Sequence, residues 1–276
     1  MGRNRKGVDR LAKSARYRDI QSKIGGLPVV SSLIKRILVA RGTSFTIIPV
    51  HKEVELPGGT AMPISVVEHF VKEAACRVIL DYCICRFAQT CRNYPIGHGC
   101  LFIGEGAREI EPGVGRRVGI DEAVDHLREG IELGLVTVLG RIDIDAMILG
   151  VKKADRLMTI CQCCPCCCLT ASLHYASKGV RDIIVRLEGV EVSVSEDCTG
   201  CGACVDACIF KQMRVIDGRA VIGEECKGCG RCAVACTTGA IKITVNNSDY
   251  INACIDRIKE HVNVEPVEGE VVRPRL

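Results

Sequence analysis

A repeated cysteine motif constrains this 276-residue chain more than any other feature of its sequence. Residues 198–208 read CTGCGACVDAC and residues 226–236 read CKGCGRCAVAC, so the spacing C-x2-C-x2-C-x3-C occurs twice. A pair of zinc ribbons is the alternative, but two C-x2-C knuckles leave the third and fourth cysteines of each motif unexplained. The segment therefore predicts two metal centres built from eight thiolates.

This segment resembles the family of ferredoxins that carry two [4Fe-4S] clusters, over about residues 189–246. The resemblance implies a pseudo-two-fold module in which the fourth cysteine of each motif binds the cluster of the other motif. The implied ligands are Cys198, Cys201, Cys204 and Cys236 for one cluster, and Cys226, Cys229, Cys232 and Cys208 for the other. Proline commonly follows each fourth cysteine in the family, whereas Ile209 and Thr237 stand there in this chain, so cluster potentials do not carry over.

Short patterns inside the module agree with loops that wrap metal. Glycines interrupt both motifs and permit the backbone conformations that such loops need, at Gly200, Gly202, Gly228 and Gly230. Between the motifs, residues 213–222 predict a hairpin with Asp217-Gly218 as its two-residue turn. Alternating apolar residues predict strands from Gly189 onward and over 240–245.

Of the other twelve cysteines, ten fall in two dense groups. One consists of Cys83, Cys85, Cys91 and Cys100, and the other of Cys161, Cys163, Cys164, Cys166, Cys167 and Cys168. Neighbouring side chains in an extended segment point to opposite faces, so Cys163 and Cys164 are not expected to serve one cluster, nor are all of Cys166, Cys167 and Cys168. Two further clusters, or one cluster beside a reactive dithiol, would use these thiols, and a metal-free cysteine core is the alternative.

These groups resemble a family of fused dicluster ferredoxins with a C-x-C-R segment, a further cysteine pair and a C-x-C-C-x-C-C-C run. The resemblance spans most of residues 76–245 and implies an iron–sulfur or redox role without a defined reaction. We expect one or two additional Fe–S clusters, with ligands drawn from Cys83, Cys85, Cys91, Cys100, Cys163, Cys164, Cys166, Cys167 and Cys168.

Three other residues near these cysteines, and two lone cysteines, have competing interpretations. His98 could act as a ligand or a proton donor, or be an ordinary loop residue. Arg86 and Arg92 could offset the charge of a cluster, or be ordinary surface charges. The two cysteines outside the dense groups, Cys76 and Cys254, are predicted to be small buried apolar side chains.

Periodicity predicts a mixture of helices and strands before the module. A helix is expected over 65–80 with Pro63 at its start, and a second from Asp121, as its cap, to Gly134. Residues 113–119 predict a loop that carries Arg116 and Arg117. Residues 44–50, 136–138 and 157–160 predict strands, residues 33–39 a strand or a helix, and residues 51–56 an alternating segment before a Pro-Gly-Gly turn.

The expected fold class is α+β, with the ferredoxin-type module preceded by a larger cysteine-rich α+β domain. We predict a basic N-terminal arm at 1–30, the cysteine-rich domain at 31–188, the module at 189–246 and a C-terminal extension at 247–276. The arm holds eight Lys or Arg against two Asp, and a solvated arm is favoured over a patch for nucleic acid or an acidic redox partner.

The first residues, MGRNRKGVDR, lack the apolar stretch of a signal peptide, and apolar runs such as 146–151 are far shorter than the roughly 20 residues of a membrane helix. We therefore expect a cytoplasmic protein without a membrane span. In a reducing compartment the thiols are expected to be metal ligands and not disulfides.

Electron transfer is the leading hypothesis, by a protein that is free or docked to a larger oxidoreductase. The second is an oxidoreductase whose middle domain holds a substrate-accessible cluster or dithiol. The third is an Fe–S sensor that binds nucleic acid through the arm, although no helix-turn-helix pattern or interleaved aromatic set supports it. No G-x-G-x-x-G motif is present, so nucleotide binding has little support. The expected partner is a redox protein or an oxidoreductase subunit, and nucleic acid is not expected.

Overall fold

The computed structural model describes residues 2–17, 42–50, 53–56 and 59–266, together with a few single residues between 18 and 41. The predicted element at 33–39 falls outside these residues except for Arg36. Thirteen strands are present in the described chain. They are β1 (Ser44–Ile48), β2 (Val54–Leu56), β3 (Gly59–Ala61), β4 (Arg77–Leu80), β5 (Leu101–Ile103), β6 (Gly115–Arg117), β7 (Val136–Arg141), β8 (Met158–Cys163), β9 (Ile184–Arg186), β10 (Val190–Val194), β11 (Met213–Ile216), β12 (Arg219–Ile222) and β13 (Ile241–Val245).

The helices of the described chain are mostly short. They are α1 (Arg5–Ala12), α2 (Ile64–Glu73), α3 (Ile84–Ala88), α4 (Ile120–Glu132), α5 (Asp143–Leu149), α6 (Leu169–Ser172), α7 (Lys178–Arg181), α8 (Ala203–Ala207), α9 (Arg231–Val234) and α10 (Tyr250–Lys259). None of the helices that the structure describes is long and apolar enough to cross a membrane. The mixture of several sheets and helices confirms the predicted α+β class.

A seven-stranded sheet in the order β6-β4-β5-β8-β7-β1-β9 forms the centre of the molecule. All neighbouring strands are antiparallel except β1 and β9, which are parallel. Strand β8 lies in the middle, and its register places Cys161 opposite Val138 and Cys163 opposite Val136. The run of cysteines that follows β8 therefore begins where the middle strand of a buried sheet ends.

The last two sheets contain the strands predicted for the module. Strands β11 and β12 form the predicted hairpin, in which Asp217 and Gly218 both have positive φ, as a tight primed turn requires. Strands β10 and β13 pair antiparallel, and β13 also pairs with β2 of the hairpin β2–β3. The predicted module thus shares a sheet with residues 54–61, which lie in the predicted preceding domain. The domain boundaries themselves stay a prediction.

Helices α2, α4 and α10 cover one face of the central sheet. The apolar faces of α2 and α4 meet in a buried core that includes Phe70 and Leu127, both fully buried. Helix α10, from the predicted C-terminal extension, contributes Tyr250, Cys254 and Ile258 to the same core. The core therefore draws on sequence from residue 48 to residue 264.

Three local predictions are wrong, two because sheet pairing overrides helical spacing or loop composition and one because a helix begins earlier than expected. The helix after Pro63 ends at Glu73, since Ala74 is extended and residues 77–80 pair with β5 and β6 as strand β4. Arg116 and Arg117 lie on the edge strand β6 and not in a loop. Gly119 precedes α4 in the cap position, so Asp121 lies in the first turn, where its charge still favours the helix N-terminus.

Helix α1 packs against the domain, so the prediction of a solvated arm is wrong for residues 5–12. Val8 and Ala12 are fully buried beside β4. Arg5 forms an ion pair with Asp81 at 3.0 Å, and the Tyr82 hydroxyl donates to the Asp9 carboxylate. At least one basic side chain of α1, that of Arg5, therefore helps to hold the helix against the domain.

Replacing Phe70 with alanine should lower the free energy of unfolding by about 3–5 kcal/mol, because the ring fills the core between α2 and α4. Met147→Ala is a matched control, since Met147 is 54% exposed. Denaturant unfolding of both variants measures the difference. A loss at Met147 equal to that at Phe70 would contradict this packing.

Candidate metal centres

The two loops of the repeated motif wrap cavities because their glycines adopt left-handed backbone conformations. Gly200, Gly202, Gly228 and Gly230 all have φ between 65° and 83°. At Gly200 a Cβ atom would lie 2.2 Å from the carbonyl oxygen of Gly218, so no larger residue fits there without a shift. The short helices α8 and α9 then begin directly after Gly202 and Gly230.

Each cavity is lined by three cysteines of one motif and the fourth cysteine of the other. The first cavity has a volume of about 300 Å³ and is lined by Cys198, Cys201, Cys204 and Cys236. The second has a volume of about 320 Å³ and is lined by Cys226, Cys229, Cys232 and Cys208. These are the two sets of thiols that the ferredoxin resemblance groups together.

The two cavities differ in exposure. Cys201 at the first cavity is exposed, and Cys198 and Cys236 are half-buried. At the second cavity Cys208, Cys229 and Cys232 are all buried. Burial raises the pKa of Cys229 and Cys232 to about 12, so only a bound cation would hold these side chains as thiolates at neutral pH.

A third group, which we call the six-thiol group, lies at the end of β8. Its members are Cys83, Cys85, Cys100, Cys161, Cys163 and Cys168. The sulfurs of Cys163 and Cys168 are 2.8 Å apart, and those of Cys100 and Cys161 are 3.4 Å apart. Further thiol hydrogen bonds join Cys83 to Cys100, Cys85 to Cys168 and Cys161 to Cys163, which makes the group continuous.

Four elements deliver these six thiols. Cys83 and Cys85 begin α3, Cys100 precedes β5 and Cys168 precedes α6. Hydrogen bonds from Cys161 and Cys83 lower the pKa of Cys100, and hydrogen bonds from Cys163 and Cys85 lower that of Cys168. The group is thus arranged so that some of its thiols stabilise the thiolate form of others.

Cys161 is not among the ligands expected from the sequence, but it lies inside the six-thiol group. Its spacing could have revealed this, because residues two apart on a strand share a face. Gln162 lies between Cys161 and Cys163 and points to the opposite face, where its Nε2 atom donates to the Leu127 carbonyl at 2.7 Å. Because side chains alternate along β8, the thiols of Cys161 and Cys163 lie on one face of the sheet and the buried amide of Gln162 lies on the other.

A fourth group, the four-thiol group, consists of Cys91, Cys164, Cys166 and Cys167. Their sulfurs all lie within 4.8 Å of one another. Leu135, Tyr94 and Leu133 pack around them. Cys163 and Cys164 therefore belong to different groups, as the alternation of side chains predicted, and Cys168 is separated from Cys166 and Cys167.

Arg86 is a buried cation between the two middle groups, 1% exposed, and not a surface charge. Its guanidinium donates to the backbone carbonyls of Gln162, at 3.0 Å, and His98. Its Nε atom has no hydrogen-bond partner, and no carboxylate in the described chain pairs with it. Burial by itself lowers the pKa of Arg86, but the negative charges of Cys83, Cys100 and Cys164 outweigh it and raise that pKa.

His98 is also buried, at 5% exposure, and does not face the thiols. Its ring stacks on His126 with 4.0 Å between centroids, its Nε2 atom bonds to the Gln162 side chain, and its Nδ1 atom lies 3.7 Å from Glu129. These two histidines and Glu129 form a further group whose ligand atoms lie within 4.8 Å of one another. Arg92 is exposed.

The two lone cysteines are buried, as predicted. Cys254 is fully buried and Cys76 is 7% exposed. Burial raises the pKa of both thiols. Both serve as matched controls for the cysteines in the groups.

No family model, no curated protein and no solved structure matches this chain. The fold and the thiol groups define an α+β protein whose cysteine groups could hold metal.

Arg86→Met should weaken metal binding in the middle of the chain about 10–100-fold, because the variant removes the cation that balances buried thiolates. Arg92→Met is the matched control and should leave binding unchanged, since Arg92 is exposed. Metal retained after competition with a graded series of chelator concentrations measures the effect. Equal retention by both variants would show that Arg86 does not support the thiolates.

Proposed function

We propose that this chain is an iron–sulfur electron-transfer protein with two ferredoxin-type [4Fe-4S] clusters. The observation that carries the proposal is the pair of cavities, each lined by three cysteines of one motif and the fourth of the other. This exchange is the ligand pattern of dicluster ferredoxins. Eight thiolates in two sets of four match the needs of two cubanes.

Backbone groups around both cavities support sulfur-bound clusters. The Ala220 amide donates to Cys198 Sγ at 3.3 Å, and the Gln212 amide donates to Cys208 Sγ at 3.2 Å. Such N–H···S bonds stabilise negative charge on sulfur and raise the reduction potential of a cluster. The Gly228 amide also donates to Cys226 Sγ at 3.5 Å in the second cavity, so the hairpin β11–β12, the loop before it and the second motif loop would all tune the clusters.

The difference in exposure gives the relay a direction. The first cavity, where Cys201 is exposed, would exchange electrons with a redox partner, whereas three of the four cysteines at the second cavity are buried. One packed cluster contains Cys204, Cys208, Cys229 and Cys232 together with Cys163 and Cys168. The inner cavity is therefore connected to the six-thiol group by packed protein.

We also propose that the six-thiol group holds an additional Fe–S cluster. Its sulfurs are continuous, they come from distant parts of the sequence, and a buried cation balances their charge. Thiolates are the ligands that Fe–S clusters prefer. Electrons would then pass between the exposed cavity, the inner cavity and this cluster, and the partner at the exposed end would be a redox protein or an oxidoreductase subunit.

Pairs of cysteine variants test the exchange of fourth ligands. Cys208→Ala and Cys226→Ala should each remove about four Fe and four sulfides, and the double variant should remove no more, because both residues bind one cluster. Cys208→Ala combined with Cys198→Ala should remove about eight Fe. Iron and acid-labile sulfide analysis of anaerobically purified full-length protein measures both.

Cys254→Ala is the control and should keep all iron, since that thiol is buried away from the cavities. The opposite pattern, with eight Fe lost on combining Cys208 and Cys226 and four on combining Cys208 and Cys198, would disprove the exchange. Protein that contains no iron, or that dithionite and a redox dye cannot reduce and reoxidise, would disprove electron transfer.

The exposed cluster should also release iron faster than the inner one. Of the two module clusters, Cys208→Ala leaves only the one at Cys201 and Cys236→Ala leaves only the one at Cys229, while the proposed cluster of the six-thiol group is present in both variants. Because Cys201 is exposed and Cys229 is buried, iron transfer to a chelator under air should be faster in the Cys208 variant. Equal rates would contradict the proposed outward orientation of the first cluster.

A further inference from the structure

We infer that Cys91, Cys164, Cys166 and Cys167 hold a single tetrahedral zinc ion and not an iron–sulfur cluster. This inference concerns a centre separate from the electron relay and does not depend on it. It assigns the four-thiol group a different chemistry from the other cysteines of the chain.

The spacing of the sulfurs carries the inference. A Zn–S bond of about 2.3 Å places the sulfurs of a tetrahedral site about 3.8 Å apart. The sulfurs of Cys91 and Cys166 are 3.7 Å apart, and all four lie within 4.8 Å of one another. In a cubane each thiolate binds a different iron atom at a different corner, so its four cysteine sulfurs must stand farther apart than those around one ion.

The same chain provides an internal comparison. The cysteines around the two module cavities, within the described residues, form no group as tight as the four-thiol group. The six thiols at the end of β8 include close pairs, at 2.8 Å and 3.4 Å, but within the described residues no three of them lie within 4.8 Å of one another, so they do not form the shell of one ion. Only the four-thiol group has the compact geometry that four ligands of one ion require.

The surroundings are those of a closed structural site. Four thiolates complete a tetrahedral shell and leave no open position for substrate. The Cys167 amide donates to Cys164 Sγ at 3.3 Å, and backbone amides of Asn93 and Tyr94 bond to Cys91. Because a zinc ion with four thiolates keeps two negative charges, the buried guanidinium of Arg86, which bonds to Cys164, supplies compensation.

The position of the site indicates what the ion does. It joins the loop after α3 to the turn after β8, which are more than 70 residues apart in sequence. Tyr94 packs on the group, and its hydroxyl accepts a hydrogen bond from Arg231 at 3.3 Å. Arg231 also bonds to the Gly134 carbonyl and lies next to Cys232, so zinc would fix the surface against which the inner cavity of the module packs.

Cys166→Ser in the full-length protein, purified anaerobically from medium with both zinc and iron, tests the inference. The wild-type protein should contain about one zinc per chain, and the variant should lose it while keeping its iron, sulfide and the electron paramagnetic resonance signals of reduced clusters. Cys254→Ala is the matched control and should keep the zinc.

Zinc K-edge X-ray absorption of the wild-type protein gives a second measurement that does not depend on a folded variant. Four sulfur neighbours at about 2.3 Å are expected. Loss of about four Fe with four sulfides in Cys166→Ser would overturn the inference, as would a single sulfide-free iron at the site or a zinc shell containing nitrogen. Failure of the proposed electron transfer would appear separately, as missing iron with zinc retained.

Discussion

The buried guanidinium of Arg86 is the interaction around which the middle of this molecule is organised. A cation removed from water needs negative charge nearby, and the thiols of Cys83, Cys100 and Cys164 supply it to Arg86. Thiols in turn are neutral when buried without a cation. Arginine, thiolates and the proposed metal would therefore depend on one another, and each would make the burial of the others favourable.

Strand β8 brings these groups together. Its central place in the sheet buries both faces, and its alternation directs Cys161 and Cys163 to one side and Gln162 to the other. The chain then turns sharply, so the cysteines that follow are divided between two groups only a few residues apart. Residues 161–168 thus contribute to both the six-thiol group and the four-thiol group, because β8 ends at Cys163 and the chain turns after it.

The proposed relay and the zinc site have different demands on the protein. Clusters that exchange electrons need a graded path from solvent to interior, which the exposed Cys201 and the buried Cys229 provide. A structural ion needs a closed shell, which the four-thiol group would provide, and fixed neighbours, which Tyr94 and Arg231 provide. Because the four-thiol group and the module pack against each other through Tyr94 and Arg231, the zinc site would help to keep the proposed clusters in fixed positions.

The sequence by itself determined the grouping of the eight motif cysteines into two sets of four, the hairpin at Asp217-Gly218, strands β1, β8, β10 and β13, and the separation of Cys163 from Cys164. These features depend on local spacing and on the period of a strand, which the sequence carries directly. Tertiary structure decided that residues 77–80 form a strand, that α1 docks, that Arg86 is buried and that Cys161 joins the six-thiol group. Those outcomes depend on pairing and packing between segments far apart in the chain, and no local pattern records which distant partner a residue will meet.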